Sequence, residues 1–239
     1  MARWVREDLT HQGTLRASIN LGNPILAQGT QDAPRGVTVD IARELAARLD
    51  APVQLLCFDA ARKSFEALSS DAADIGFLAV DPAREQEIAF TAPYAIIEAS
   101  FAVADSSSIR TIEDADRPGV RIGVKEGSAY DLFLTRHLQH ATVVRGDDGI
   151  AVFVSEGLDV AAGLREPLHA YAEEHPQVRV VEPPFMQIFQ ALGVSRTRRD
   201  DTRRFLGVFV EELKANGFIA ESLARSARND AVVAPPVTY

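Results

Sequence analysis

Cysteine is nearly absent from this chain. Cys57 is the only one in 239 residues, so no intrachain disulfide can form, and a lone thiol decides little about redox compartment. Positive charge is also short. Lys and Arg number 25 against 34 Asp and Glu, a net charge of −9. A nucleic-acid binder needs a basic surface to displace counterions from phosphates, so that class is excluded. No run approaches the roughly 18 consecutive apolar residues of a membrane-spanning helix. Catalytic and cofactor signatures are missing too. The chain has no Walker A loop, no Gly-x-Gly-x-x-Gly, no His-Glu-x-x-His and no Gly-x-Ser-x-Gly. His137 and His140 stand three apart on an expected helix, but no Cys, third His or well-placed acid completes a metal set. They read as solvated surface residues. No cofactor, metal or catalytic residue is expected.

The composition is nonetheless that of a folded protein, with 46% hydrophobic and 25% charged residues. The first residues, Met1 to Asp8, lack the apolar core of a secretory signal. That fits either a cytoplasmic chain or one from which a leader was removed.

Strand and helix signals alternate along nearly the whole length. Residues 14–20 alternate apolar and polar, a strand pattern. Residues 37–49 carry Ile41, Leu45 and Leu49 at spacing four, an amphipathic helix. Residues 52–58 form a second strand and 61–68 a short helix. Residues 74–80 are continuously apolar after Asp74, which suits a parallel strand covered on both faces. A long extended segment, 95–104, leads into a second series. Its strands are expected at 120–124, 141–144, 158–162 and 178–181, with helices at 128–139, 149–154 and 166–174. A further extended run, 188–195, leads back to a closing helix at 202–215 and another at 218–227. The tail from Asn229 reads as frayed. Repeated strand–helix units imply an α/β architecture with mostly parallel sheets. Two such series joined by two extended segments imply two lobes and a double crossing. Residues 1–97 with 188–239 would form lobe 1 and residues 98–187 lobe 2. Ligands bind at the carboxyl ends of strands in such sheets, which puts the expected site in a cleft between the lobes.

Three local patterns sit at expected strand ends. Asp81-Pro-Ala-Arg84 directly follows the buried strand, and Arg84 would grip a carboxylate through two parallel hydrogen bonds. The alternative is a surface Arg84 paired with Glu87 at i+3. Gly127-Ser128-Ala129-Tyr130-Asp131 opens a helix with a Ser-x-x-Asp cap, and the N-terminus offers N–H groups to an anion. Capping and anion binding can coexist there. Arg165 falls just past a strand end, as a second pocket cation or as a solvated residue opening the next helix.

These residues, taken in order, resemble the type II periplasmic solute-binding proteins of polar amino-acid transporters, the bacterial extracellular solute-binding protein family 3. The resemblance rests on Gly13-Thr-Leu-Arg-Ala-Ser18, Val39-Asp-Ile-Ala42, Asp74-Ile75, Arg84 ahead of Phe90-Thr-Ala-Pro-Tyr94, and Gly123-Val-Lys-Glu-Gly-Ser128. It implies a two-lobe periplasmic-binding fold and a monomer that binds a small carboxylate ligand without catalysis. It implies hand-over to the membrane subunit of an ABC transporter, and a periplasmic location. Residue by residue it makes Arg84 the carboxylate clamp, with Ser128 and Ala129 supporting it from the second lobe. Asn20 and Asn23 become polar ligand-facing positions and Phe58 an aromatic packed on the ligand. Ala79 and Asp81 before the arginine, Gly127 and Tyr130 around the cap, and Gln190 and Glu98 on the crossing segments complete the expected ligand set.

Two departures bear on ligand class. The serines or threonines often found before the arginine are replaced by Phe77-Leu78-Ala79-Val80-Asp81, and the acid expected after the Asp159 strand by Leu164-Arg165. Losing an acid and gaining a base disfavours an ammonium group. The expected ligand is therefore an amine-free organic acid in preference to an α-amino acid, with Glu98 the residue that would hold an amine. Two other functions fit the same sequence. One is a dehydratase resembling cyclohexadienyl dehydratases, with Asp81 or Glu98 as the acid. The other is a cytoplasmic ligand-sensing module.

Overall fold

The computed structural model describes residues 3–227 and 230–238. In chain order the elements are α1 (Arg3–Leu9), β1 (Leu15–Asn20), β2 (Gln28–Gly29), β3 (Pro34–Arg35), α2 (Val37–Arg48), β4 (Val53–Phe58), α3 (Ala61–Ser69), β5 (Ile75–Ala79), a 3-10 turn (Arg84–Gln86) and β6 (Ile88–Ala104). There follow α4 (Ile112–Ala115), β7 (Arg121–Lys125), α5 (Ala129–His137), β8 (Thr142–Gly146), α6 (Gly149–Glu156), β9 (Val160–Leu164), α7 (Arg165–Glu174), β10 (Val178–Val180), β11 (Met186–Ser195), α8 (Asp200–Ala215), α9 (Phe218–Arg225) and β12 (Val232–Val233). The chain divides into two compact units. Unit 1 is Met1–Ile96 with Phe189–Tyr239, and unit 2 is Ile97–Ile188. The chain changes unit within β6 and again within β11.

In unit 1, β1 pairs in parallel with β4 on one side and β5 on the other, and β11 runs antiparallel to β5. Parallel neighbours need a crossover, and α2 and α3 supply it. Side chains alternate across a strand, so β1 packs both ways. Ser18 faces α3, where its hydroxyl meets that of Ser64 at 2.5 Å, while Ala17 and Ile19 face the other side and are fully buried. Every residue of β5 is buried, which explains its unbroken apolar sequence.

One ion-pair group ties the start of this sheet together. Asp74, 1% exposed, accepts the backbone N–H of Arg16 at 2.9 Å and its guanidinium at 2.8 Å, and Arg198 at 3.1 Å. Arg198 also donates to the Asp8 carbonyl. One carboxylate thereby joins β1, the entry to β5, the end of α1 and the approach to α8. The hydrogen bond to Asp74 is the main cause that pushes the Arg16 pKa up.

In unit 2, β7 lies between β8 and β9, parallel to both, and the Ile97–Ala104 part of β6 pairs antiparallel with β9 on one side and β10 on the other. Two glycines let α6 sit close to this sheet. A Cβ on Gly149 would fall 2.5 Å from the Ala162 carbonyl oxygen, and one on Gly123 would fall 2.8 Å from Val152. Among the described residues no helix is long and apolar enough to cross a membrane.

Most expected elements appear within two or three residues of their expected ends. Three features depart. Residues 3–9 form a helix whose Val5 and Leu9 are buried. Strand β6 begins at Ile88, earlier than expected. The tail is not frayed: Asn229 lies outside the described residues, but Val232 and Val233 pair with Ile96 and Ala95. Ala231 and Ala234 are buried, and Lys214 donates to the carbonyls of Pro93 and Pro235. Cys57, read as a small buried hydrophobe, is only partly buried.

Two outcomes follow for stability. Asp74→Ala takes the shared carboxylate from two partly buried guanidinium groups, leaving them their weaker contacts with Asp71, and should cost about 3–5 kcal/mol in urea unfolding at neutral pH; a loss below about 1 kcal/mol, the level of a surface pair, would show that the group is not structural. Lys214→Ala leaves the partly buried Pro93 carbonyl without its ammonium, at about 1–3 kcal/mol for a buried group left unpaired, and releases the exposed Pro235 carbonyl to water. Limited proteolysis should then cut residues 230–238 first; a tail as resistant as in the unmutated protein would contradict this anchoring.

Candidate functional site

Parallel pairing puts the carboxyl ends of neighbouring strands on one edge. In unit 1 the register aligns Asn20 with Phe58, at the ends of β1 and β4, and Ala79 at the end of β5 with Gln190 of β11. Arg84 follows β5 after a tight turn. In that turn the Asp81 carboxylate accepts the Ala83 N–H at 2.9 Å and the Asp81 carbonyl accepts the Glu85 N–H. The turn folds Arg84 back so that its guanidinium donates to the Ala79 carbonyl at 3.0 Å. Arg84 is 3% exposed, so it is not the surface partner of Glu87 that its spacing also allowed. Burial lowers its pKa to about 10, against the opposing pull of Asp81. It is therefore still a cation at neutral pH, in surroundings that solvate it less well than water does.

The side-chain carbonyls of Asn20 and Asn23 are used inside the loop after β1. They accept the N–H groups of Gly22 and Ile25 at 3.0 and 3.2 Å, which leaves their NH2 groups as the donors they can offer outward. Gln190 is 5% exposed. Phe58 is half-buried and packs against a cluster of Ala67, Leu68, Leu78 and Ile88.

Unit 2 carries a matching edge. Ser128 caps α5 by accepting the Asp131 N–H at 3.1 Å, and the Asp131 carboxylate returns to accept the Gly127 N–H at 2.9 Å. Arg145 pairs with Asp131 at 3.0 Å. This reciprocal cap fixes the loop and leaves the first-turn amides of Ala129 and Tyr130 without intrahelical acceptors. Tyr130 is buried, and its hydroxyl hydrogen-bonds with Ser128 and the Lys125 backbone. Burial outweighs these bonds and pushes its pKa up. It acts as a strut of the loop.

Arg165 is not an uncompensated cation. Its Nε donates to Glu182 at 2.9 Å and its Nη1 to Glu98 at 3.3 Å, and His169 meets the same Glu182 oxygen at 2.9 Å. Burial alone would raise the Glu182 pKa, but the bonds from Arg165 and His169 outweigh it and hold the carboxyl below its usual range. The backbone explains the meeting. Ala99 pairs with Leu164, and the 181–185 segment runs beside β6 through Val181 N–H to Phe101 and Phe185 N–H to Ala99. Sequence reasoning named Glu98 and Arg165 but missed Glu182, which sits in an irregular segment with no periodic signal.

Comparison with known proteins agrees with this architecture. The family model of bacterial extracellular solute-binding proteins, family 3, matches residues 19–226. Among curated proteins none matches the chain in sequence. A mutant of the arginine-binding protein ArgBP from T. maritima has a TM-score of 0.76 at 19% identity, covering 93% of this chain and 99% of that one. The cysteine-binding protein from Campylobacter jejuni has a TM-score of 0.77 at 18% identity, covering 94% and 96%. An ancestral amino acid-binding protein, precursor of cyclohexadienyl dehydratase, has a TM-score of 0.71 at 20% identity, covering 90% and 95%. At these identities the likeness is one of fold, the type II periplasmic-binding architecture. Because the family model spans well over half its length, this chain belongs to the bacterial extracellular solute-binding proteins, family 3.

Proposed function

We propose that the protein is the solute-binding component of an ABC-type importer, working as a periplasmic monomer on a small carboxylate-bearing solute. The observation that carries this reading is Arg84. A buried guanidinium with a lowered pKa gains most from an anion that replaces the water it has lost. Its neighbours on the same edge suit that ligand, since Asn20 and Asn23 offer NH2 donors. The capped start of α5 offers amides from unit 2 to the same kind of group. The solutes of related folds, arginine and cysteine in the two binding proteins above, all carry a carboxylate.

Of the two grounds for preferring an amine-free acid, the added base is offset, since two carboxylates face the Arg165 guanidinium, while the other, the missing acid after β9, stands. Binding is favoured over catalysis by the way the acids are held. Of the two acids named for a dehydratase, Glu98 is tied to Arg165 and the Asp81 carboxylate accepts the Ala83 N–H inside its turn.

Arg84→Lys keeps the charge but loses the planar fork, and carboxylate affinity measured by calorimetry should fall about 10- to 100-fold, the worth of a charge-assisted hydrogen bond. Unchanged affinity would remove Arg84 from the site. Incubation with prephenate should give no turnover; product formation would establish the dehydratase reading instead.

A further inference from the structure

We infer that unit 2 carries a further binding site, a cavity beside β6 that takes a compact apolar carboxylate, a single ring bearing an acid. None of the candidate ligand residues lines it.

The cavity encloses about 220 Å³. Its walls come from three stretches of unit 2: β6, the approach to α4, and residues 181–185. Phe101, Ile112, Val181, Pro183, Pro184 and Phe185 supply the apolar lining. The Phe101 and Phe185 rings stack with centroids 4.3 Å apart. Hydrogen bonds hold these walls together. The Val181 N–H donates to the Phe101 carbonyl at 2.8 Å and the Phe185 N–H to the Ala99 carbonyl at 3.1 Å. The buried Ser100 hydroxyl donates to the Val181 carbonyl. The shape of the hollow is therefore set by bonded backbone on two sides. An apolar cavity of about 150 Å³ accepts benzene, and drug-sized ligands occupy about 300 Å³ or more. A volume between these suits one ring with a short substituent.

The sign of the ligand's charge is set at the rim. Arg110 lines the cavity, and its Nη1 donates to the Ser107 and Ile109 carbonyls at 3.0 and 3.3 Å. Arg179 of β10 brings its Nη2 to the same two carbonyls, at 2.9 and 2.7 Å. Two guanidinium groups thus share one pair of oxygens. Among the described residues no carboxylate pairs with either, whereas Arg16, Arg121 and Arg145 each meet an acid. Arg117 and Asp114, close by in sequence, neutralise each other. Glu113 also lines the cavity, but it is exposed and makes no ion pair with Arg110 or Arg179. Two like charges held together without a counter-ion favour an anion that meets them. Arg110 also presents suitable donors. With Nη1 taken by the backbone, Nε and Nη2 have no partner among the described residues. These N–H groups share one edge of the guanidinium, the fork that a carboxylate takes through two parallel hydrogen bonds. The bonds to Ser107 and Ile109 restrain the side chain, so less freedom is lost when a ligand binds. A bare anion would leave the ring-lined wall empty, and a neutral ring would leave the fork unused.

The test uses phenylacetate, its neutral isostere phenylacetamide, and acetate, which lacks the ring. Calorimetry reads affinity, and backbone-amide NMR shifts locate the site. Phenylacetate should bind with a Kd of about 0.1–1 mM, ordinary for a ligand of so few atoms. It should move the amides of Ser100, Thr111, Ile112 and Phe185. Phenylacetamide and acetate should each bind about 10- to 100-fold more weakly, for loss of the charged bond and of the buried ring. Arg110→Gln should weaken phenylacetate by a similar factor and leave phenylacetamide unchanged. It should not alter the melting of the ligand-free protein, because Arg110 is exposed. Ile112→Trp fills the cavity and should abolish phenylacetate binding, and Arg84→Lys should leave that binding as it is. Equal affinity for phenylacetate and phenylacetamide overturns the proposal, as does phenylacetate affinity unchanged in Arg110→Gln. Shifts that avoid these four amides, or binding lost in Arg84→Lys, place the ligand elsewhere and overturn it too. So does the absence of binding at about 10 mM.

Discussion

Parallel strand pairing is the constraint from which the rest of this molecule follows. β1 is parallel to β4 and β5, and β7 is parallel to β8 and β9. A parallel pair cannot be closed by a hairpin, so each return must cross a face of the sheet, and helices cover both faces. The same rule sends the carboxyl ends of the parallel strands in a unit to one edge. That is why Asn20, Phe58, Ala79 and Arg84 gather in unit 1, and Gly127, Ser128 and Arg165 in unit 2, although each set is scattered through the sequence. Helix starts meet those edges as well, so polar backbone groups collect there without any special motif.

Charge is handled differently at the two ends of the unit 1 sheet. At the start of the strands Asp74 is saturated: it takes a backbone amide and two guanidinium groups, and every charge there has an opposite partner in contact. Such a group fixes geometry and has nothing left to bind. Beyond the end of β5, Arg84 is buried with its pKa lowered by desolvation. The same residue type is thus a partly exposed pin in one place and a buried cation beside Asp81 in the other. Burial separates these cases: Arg16 is only partly buried and its bond to Asp74 pushes its pKa up, whereas Arg84 is buried and desolvation pushes its pKa down.

The sequence made the periodic parts of this fold legible and left the irregular parts dark. Strands β1, β4, β5, β7 and β9 show as alternating or continuous apolar runs because sheet burial imposes those patterns. Helices α2 and α8 show because their apolar residues recur at spacing three and four. The tail was misread because Pro235 and Pro236 suggest fraying. The anchoring residues lie just before them, in Ala231-Val-Val-Ala234, a run too short to be told from a loop without its partner strand. Among the candidate residues, Arg84 of unit 1 and Ser128 of unit 2 are legible because their positions relative to a strand end fix their environment. Glu182 was invisible, since its meeting with Arg165 depends on an irregular segment running beside β6.

That last omission changes the chemistry. Read along the chain, Leu164-Arg165 in place of an acid looks like a reversal of charge. In space, Arg165 brings together Glu98 and Glu182, which lie 67 and 17 residues from it. A substitution that adds a cation can therefore leave its surroundings acidic, provided the fold supplies more than one carboxylate to meet it. The field a ligand experiences is set by the sum over neighbours in space, and at a few ångströms one unnoticed carboxylate reverses its sign. The charge at this end of β9 is thus a property of the Glu98–Arg165–Glu182 group as a unit. Each of its members, taken alone, gives a different and incomplete answer.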